Sequence, residues 1–387
     1  LRSGDYPVIV PRTTKENVTM LERKTEAGSI PETLPDGVYF NLPAEDYHRD
    51  PALGSGDISL LLKHPGDYWW ASWMNPQQPP AEPTAPQQWG SAFHALIVEG
   101  EEAFDARYYR GPSQDDYPGV LVLADDLRKW LKLHGYAVSG NKSTLENRVL
   151  SADPVAPVWS EIERKAEVLA EGRTILDPRV FDKIVLASAY VTKHPKLARA
   201  FTNGYPEVSV FWTLGETYVE SFGNWPVRCK ARIDYLKFRG LVDLKSIRMR
   251  QKMKEFDVAI NDAISWYGYD VQAAHYCQAR EQIPEFIRTF KTFGEVESSW
   301  LKRYLELSAE PFIFSWVFYQ ADGAPLARRI DYNPKADYHF HAVADIERAL
   351  ERYRRYLSVF GVSQWVDVTE PRTLTSEDLR TRLAAIV

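Results

Sequence analysis

The sequence predicts an α/β fold with a central mixed sheet flanked by helices, and two observations carry that expectation. Between Glu207 and Ser246 apolar residues alternate with polar ones in EVSVFW, TYVESF, VRCKARIDYL and GLVDLKS, with glycine-containing breaks between the runs. Alternation at a period of two describes strands with one buried face. On both sides of this meander the apolar period is helical, and a second apolar strand pair follows around Phe312 to Tyr332. The order is helices, strands, helix, strand, helix, which places helices against a sheet.

Taken in order, the chain begins with Leu and Met20 is the first methionine, so the first 19 residues are expected to be a tag or an extension with no core role; residues 1–34 are read as an N-terminal extension and residues 35–387 as one domain. From Gly56 to Trp73 the spacing of Ile58, Leu61, Leu62, Tyr68, Trp69 and Trp73, interrupted by Pro65, predicts two short helices. Residues 75–88 hold five prolines and no large apolar side chain, so they should be an extended, solvated connection. Helical spacing resumes in WGSAFHALIVEG. A compact unit follows near residues 121–150, then a helix from about Pro157 to Glu171, a helical stretch from about Phe256 to Glu281, and a charged helix from about Ala342 to Phe360. No internal repeat is present.

The 387 residues are 44% hydrophobic and 26% charged, which excludes fibrous and wholly disordered classes. No apolar run reaches the ~18 residues of a membrane span, and no secretory signal opens the chain, so a cytoplasmic protein is expected. Two cysteines, Cys229 and Cys277, exclude a disulfide scaffold and a four-cysteine zinc site. The net charge of −6 gives no hint of a nucleic-acid partner, but the balance reverses locally. From Val227 to Lys254 ten lysines and arginines stand against Asp234 and Asp243 alone, a net of 10 − 2 = +8.

Strand alternation puts Arg228, Lys230, Arg232 and Asp234 on one face of their strand and Val227, Cys229, Ala231 and Ile233 on the other. On the next strand Asp243 and Lys245 share a face while Val242 and Leu244 point to the core. A very short loop near Phe238 to Gly240 makes the two strands a hairpin, so Asp234 should face Asp243 or Lys245 and both strands should present these groups to the same side. Two carboxylates this close repel unless a cation lies between them, and hard oxygen donors favour magnesium, with manganese as a substitute. Such a metal suits phosphodiester hydrolysis, with the lysine neutralising charge on the phosphate or positioning water. A lone D-x-K on an exposed strand face describes a solvated ion pair equally well; the hairpin and its basic surround are what favour a site.

WGSAFH, EVSVFW, KARID, VDLKS and YDVQAAHY, in this order, resemble the motifs of the PD-(D/E)XK nuclease superfamily, most closely the RecE-type exonuclease (exonuclease VIII) family, from about Tyr47 to Tyr276. The resemblance implies a restriction-endonuclease-like core. It implies a metal held by His94, Asp234, Asp243 and the backbone carbonyl of Leu244, with Lys245 as the catalytic lysine. Glu207 matches the family's strand-start glutamate, and could equally be a strand-end surface acid. Gln272 and Tyr276 match its Q-x-x-x-Y element, four apart on one helical face; the alternative is that they only pack that helix on the sheet. His94, among Ala92, Phe93, Ala95 and Leu96, has a satisfied core histidine as its alternative. Arg228, Lys230, Arg232, Arg248 and Arg250 are candidate phosphate contacts, because guanidinium forks match phosphate oxygens; an exposed basic strand face competes with that reading.

The segment LRKWLKLHGYAVSGNKSTLENRVL predicts helix, extended segment, helix, with Gly135 as the stop. It resembles a SAP-like DNA-binding motif through Gly135, Ser139-Gly140-Asn141-Lys142 and Leu145 to Arg148. From Leu127 to Arg148 the bases Arg128, Lys129, Lys132, Lys142 and Arg148 oppose Glu146, a net of 5 − 1 = +4, which suits phosphate contacts. A structural helical hairpin is the alternative.

The expected activity is magnesium-dependent exonucleolytic hydrolysis of linear double-stranded DNA. Resemblance implies 5′ to 3′ polarity, a 3′ single strand for an annealing recombinase, a ring-shaped homo-oligomer, and a phage or prophage setting. Two rivals stand beside it. One is a related nuclease acting on single strands or flaps, or cutting internally. The other is a non-catalytic DNA-binding protein, against which stands the set His94, Asp234, Asp243 and Lys245.

Overall fold

The computed structural model describes residues 31–78, 84–249, 255–367 and 373. Met20 and the expected extension before residue 31, part of the proline-rich connection, Arg250 with Lys252 and Lys254, and most of the chain after 367 lie outside the described residues.

In chain order the elements are β1 (Gly37–Tyr39), α1 (Ala44–Arg49), α2 (Ser55–Lys63), α3 (Pro65–Ala71), α4 (Ala85–His94), a π-turn (Ala95–Glu99), α5 (Glu101–Arg107), β2 (Tyr108–Arg110), α6 (Ala124–Leu133), α7 (Lys142–Ala152), α8 (Trp159–Ala170), β3 (Thr174–Leu176) and α9 (Pro178–Lys193). Then come β4 (Gly204–Val219), β5 (Gly223–Lys237), β6 (Gly240–Ile247), α10 (Phe256–Tyr267), α11 (Tyr269–Arg288), β7 (Thr292–Phe293), α12 (Ser298–Leu307), β8 (Ile313–Gln320), β9 (Ala327–Tyr332) and α13 (Asp337–Phe360). Seven strands form one sheet in the order β7-β1-β4-β5-β6-β8-β9. The β4–β5–β6 meander is antiparallel, whereas β6 runs parallel to β8 and β1 parallel to β7, so the sheet is mixed as expected. This is the expected α/β architecture, a central mixed sheet flanked by helices.

Each face of the sheet has its own apolar layer. On one, Val227, Cys229, Ala231 and Ile233 pack with Ile260 of α10, Ala273 and Cys277 of α11 and Ile346 and Tyr353 of α13. On the other, Val242, Leu244 and Val317 pack with Trp89 and Phe93 of α4, the π-turn, and Ile184 and Val191 of α9. Removing one such side chain from water is worth about 1.5–3 kcal/mol, so the sheet is fixed from both sides.

Several elements differ from expectation for identifiable reasons. α4 starts at Ala85, inside the segment read as extended, because the Gln87 side chain accepts the Thr84 N–H and hydroxyl at 2.8 Å and Pro86 sits in the first turn, where its missing N–H costs nothing. The long helical stretch from Phe256 breaks at Gly268, whose φ of 64° ends α10 and starts α11, and α11 continues to Arg288. α9 was not anticipated, although Asp177 followed by Pro178 is a start signal: its carboxylate accepts the N–H groups of Arg179 and Val180.

Near residues 121–150 the chain forms helix, extended segment, helix, and the unit runs beyond the expected end to Val158, about a small core of its own: Leu121, Leu127, Leu131, Leu145, Val149, Ala156 and Val158. Its ends meet where Leu121 bridges Val158. Among the described residues no helix is long and apolar enough to cross a membrane.

Candidate active site

The β5–β6 hairpin turns through Phe238 and Arg239, and its ladder closes at Lys237↔Gly240, Leu236↔Leu241 and Tyr235↔Val242. The next pair would be Asp234 and Asp243, and there the ladder ends. Instead of a backbone partner, the Leu244 N–H donates to the Asp234 carboxylate at 2.8 Å. The opening between the two strands is the candidate site.

On the other side of β5 the β4 ladder is paired at Val208↔Ile233 and Pro206↔Tyr235, and between these pairs Glu207 adopts a left-handed φ of 53°. The side chains show a break of alternation here. Ile233 and Leu236 belong to one apolar layer and Tyr235 to the other, an arrangement strict period-two geometry forbids. The expectation that both strands present their groups to one side is therefore corrected. His94, from the helix on one face, meets Asp234 at 3.2 Å, while Gln272, from α11 on the other, donates to Asp243 at 3.3 Å. The carboxylates are approached from opposite sides of the opened hairpin.

His94 is the last residue of α4, and its ring nitrogens face carboxylates, not the apolar layer of its neighbours Phe93 and Leu96. Its Nε2 lies 3.3 Å from Glu207 and 3.2 Å from Asp234, and its Nδ1 lies 3.9 Å from Glu99. Burial disfavours the charged imidazole, but Asp234, Glu207 and Glu99 outweigh it and raise its pKa to about 9. Burial likewise raises the Asp234 carboxyl, yet the His94 and Lys245 charges bring it below its ordinary value. Glu207 goes the other way, raised by burial despite His94 and Arg232. It is not the surface acid of the alternative reading: its side chain is 15% exposed and pairs with Arg232.

Glu99 was missed from the sequence. The π-turn is its signal in structure: Gly100 N–H reaches back five residues to the Ala95 carbonyl, and Glu99, five residues beyond His94, comes beside it. Arg107 holds the other Glu99 oxygen at 2.7 Å. His94, Glu99 and Glu207 offer ligand atoms that all lie within 4.8 Å of one another.

Asp243 is 1% exposed. Lys245 Nζ lies 2.9 Å from its Oδ1 and 2.7 Å from its Oδ2, yet Oδ2 receives no well-directed hydrogen bond. Burial raises the Asp243 carboxyl and Asp234 adds to it; the Lys245 ammonium only partly offsets them. Burial opposes charge on Lys245, but Asp243 and Asp234 overcome it, so its pKa is raised and it is an ammonium at neutral pH. The Tyr269 ring lies 5.0 Å from that ammonium. Tyr276 is buried against Phe314, and its hydroxyl meets the Gln272 side chain, which in turn bonds Asp243. The Leu244 side chain is core.

The strand cations do something other than expected. Arg228 is 8% exposed, its Nη1 donates to both carboxylate oxygens of Asp50 at 3.1 Å, and its Nη2 donates to the Leu34 carbonyl. Lys230 donates to the carbonyls of Tyr47 and Asp50, at 3.0 and 2.6 Å. Arg232 holds Glu207 and the Leu42 carbonyl. These three are neither phosphate contacts nor an exposed basic face; they fasten the segment Leu34–Asp50 to the sheet. Arg248 is exposed, and Arg250 lies outside the described residues.

In the 121–158 unit Arg148 grips the carbonyls of Ala137 and Ser139 and so shapes the extended segment, Arg128 pairs with Asp125, and Lys142 lies 3.7 Å from Glu146. Lys129 and Lys132 are exposed on α6.

The donor set fits a divalent cation. A histidine nitrogen and carboxylate oxygens converge from α4, the π-turn and β4, Asp234 of β5 lies 3.2 Å from the same histidine, and the buried Asp243 Oδ2 still has acceptor capacity. No curated protein matches this chain. A crystal structure described as that of a putative exonuclease from Eubacterium rectale is similar at 15% identity over 64% of this chain and 83% of that one, with a TM-score of 0.32, too loose a likeness to carry an argument. Residues 181–293, which include Glu207, Asp234, Asp243, Lys245, Gln272 and Tyr276, match a family model described as a PDDEXK-like domain of unknown function, DUF3799.

Proposed function

We propose that this protein is a magnesium-dependent exodeoxyribonuclease of RecE type that degrades linear double-stranded DNA from its ends, 5′ to 3′, leaving a 3′ single strand for an annealing recombinase. The observation that carries the reading is the opened hairpin, where Asp234, Asp243 and Lys245 stand beside His94 and Glu207 within a segment that matches a PDDEXK-like domain. A solvated surface ion pair would not be 1% exposed at its carboxylate, nor have that carboxylate held by Gln272 of α11.

His94, Glu99, Glu207, Asp234 and Asp243 are the residues that would hold the metal, which when bound polarises a phosphoryl oxygen and acidifies water. Lys245 supplies a fixed positive charge for the phosphate oxygen on which negative charge develops. Asp243 orients that ammonium, and Gln272, backed by Tyr276, orients Asp243. On this reading the exposed lysines of the 121–158 unit add duplex contacts, and a ring of subunits encloses the DNA.

The test is degradation of linear, nicked and closed-circular duplex DNA with magnesium or with EDTA, running Asp243→Ala beside the wild type. Loss of linear DNA alone, dependent on metal and on Asp243, is the expected result. Cutting of closed circles would replace the exonuclease with an endonuclease, and no metal-dependent cleavage of any substrate would leave a DNA-binding protein.

A further inference from the structure

A cavity of about 930 Å³ opens beside the site, walled by the end of β6, the N-terminal turn of α4, α10 and the start of α11. Its volume is at the upper end of what small-molecule sites occupy, enough for more than one nucleobase. Tyr269 belongs to both places: its ring lines the cavity and lies 5.0 Å from the Lys245 ammonium. The break at Gly268 brings Tyr267 beside Tyr269, ring centroids 5.6 Å apart. Trp266, 78% exposed, and Tyr267, 52% exposed, stand on the same wall. A soluble helix gains nothing for its own stability by leaving a tryptophan and a tyrosine so exposed. Among the described residues Arg248 is the cation of the wall and Asp262 its carboxylate, and the aromatic faces are its distinguishing chemistry.

We propose that this cavity is a stacking subsite for unpaired nucleobases of the strand whose phosphate lies at Lys245. The inference rests on the nuclease reading and deepens it: the strand enters as frayed or single-stranded nucleotides, not as intact duplex. Aromatic side chains hold successive bases without regard to sequence, because every base has a π-face, and Arg248 is placed at the wall to meet a backbone phosphate.

The experiment measures binding of the full-length protein, in EDTA, to a fluorescent duplex carrying a short unpaired tail, to the blunt duplex, and to the same tail made abasic. Trp266→Ala and Tyr267→Ala should each weaken tail binding about tenfold, within the range that loss of one base–aromatic stack produces. Blunt-duplex binding should not change, Trp266→Phe should restore the tail, and the abasic tail should bind wild type as weakly as the intact tail binds the variants. Because Trp266 is exposed, the alanine variant keeps its fold. Wild-type affinity for the tail in both alanine variants overturns the subsite; so does a variant that changes only the sedimentation of the protein, which would make this wall a contact between copies. Magnesium-dependent cleavage by the wild type is scored on the same duplexes. Cleavage without Trp266-dependent binding removes the subsite and leaves the nuclease, whereas Trp266-dependent binding without cleavage removes the nuclease and leaves a single-strand-binding cavity.

Discussion

Asp234 accepts the backbone N–H of Leu244 at 2.8 Å, across two strands whose ladder has just ended at Tyr235↔Val242. A side chain takes the place of a strand carbonyl, so the hairpin opens without leaving that donor unpaired, a loss that would cost about 1–3 kcal/mol in a buried position. At this opening α4 reaches Asp234 through His94 and α11 reaches Asp243 through Gln272.

Lys245→Ala should abolish cleavage while leaving DNA binding nearly intact. The ammonium contacts Asp243 and stands over Tyr269, so its removal deletes positive charge at the reacting phosphate and leaves the cations elsewhere in place. Loss of a preorganised electrostatic contact of this kind costs about 10²–10³ in rate. Turnover at the wild-type rate, measured on linear DNA, would remove Lys245 from the site.

Lys230→Ala should lower stability by about 3 kcal/mol and leave the DNA affinity of the folded protein unchanged. The lysine is 7% exposed and its ammonium is the donor for two carbonyls of the Tyr47–Asp50 segment, which the variant leaves buried and unsatisfied. Denaturant titration reads the first effect and fluorescence anisotropy the second. A salt-dependent loss of DNA binding with unchanged stability would restore Lys230 to the phosphate contacts.

Much of this molecule was legible because periodicity reports burial. The meander, both helices of the 121–158 unit and the order of elements follow from which positions are apolar, and D-x-K within a short hairpin located Asp234, Asp243 and Lys245. Alternation failed at the site itself, since Glu207 in a left-handed conformation and the break between Ile233 and Leu236 are backbone departures that no residue pattern announces. The strand cations were misread for a related reason. A basic strand face looks the same in sequence whether water or a buried acid lies opposite, and the partners of Arg228 and Lys230 come from Leu34 to Asp50, almost two hundred residues upstream.

Glu99→Gln should weaken manganese binding about ten- to a hundredfold, the range seen when a supporting metal-site residue is altered. Glu99 adjoins His94, is fixed by Arg107, and shares with His94 and Glu207 the one cluster of convergent donor atoms found among the described residues. Calorimetric titration of the metal checks it; unchanged affinity would make Glu99 a partner of Arg107 only.

His275 predicts an acid-sensitive fold. It is fully buried on α11, with Nε2 bonded to the Lys230 carbonyl at 3.0 Å and its ring against Trp212, and burial depresses its pKa from 6.5 to about 4. A depressed pKa means that the unfolded chain binds the proton first. The stabilisation is therefore complete above pH 6.5 and is lost progressively as the pH falls from there to about 4, up to about 3 kcal/mol. Chemical denaturation across that window should show the slope in the wild type, and His275→Gln should flatten it at the cost of lower stability at neutral pH.

Excision of residues 122–157, with a short flexible linker joining Leu121 to Val158, should leave a folded protein that cleaves DNA but holds it less well. The unit encloses its own core, and its neck is closed by the Leu121↔Val158 bridge, with the Leu121 N–H donating to the Pro157 carbonyl at 2.8 Å and the Trp159 N–H to the Leu121 carbonyl at 3.0 Å. A linker therefore spans a gap that is already short, and little of the main sheet's packing depends on what is removed. Of the unit's cations, Arg148, Arg128 and Lys142 have partners within it, so DNA binding by the unit falls to Lys129 and Lys132. Removing each lysine–phosphate pair should reduce the salt dependence of binding by about one unit of slope. Charge reversal of Lys129 and Lys132 in the intact protein should reproduce the excision's effect on binding. If both variants bind as wild type at every salt concentration, the unit is a structural hairpin and its resemblance to a DNA-binding motif stops at its shape.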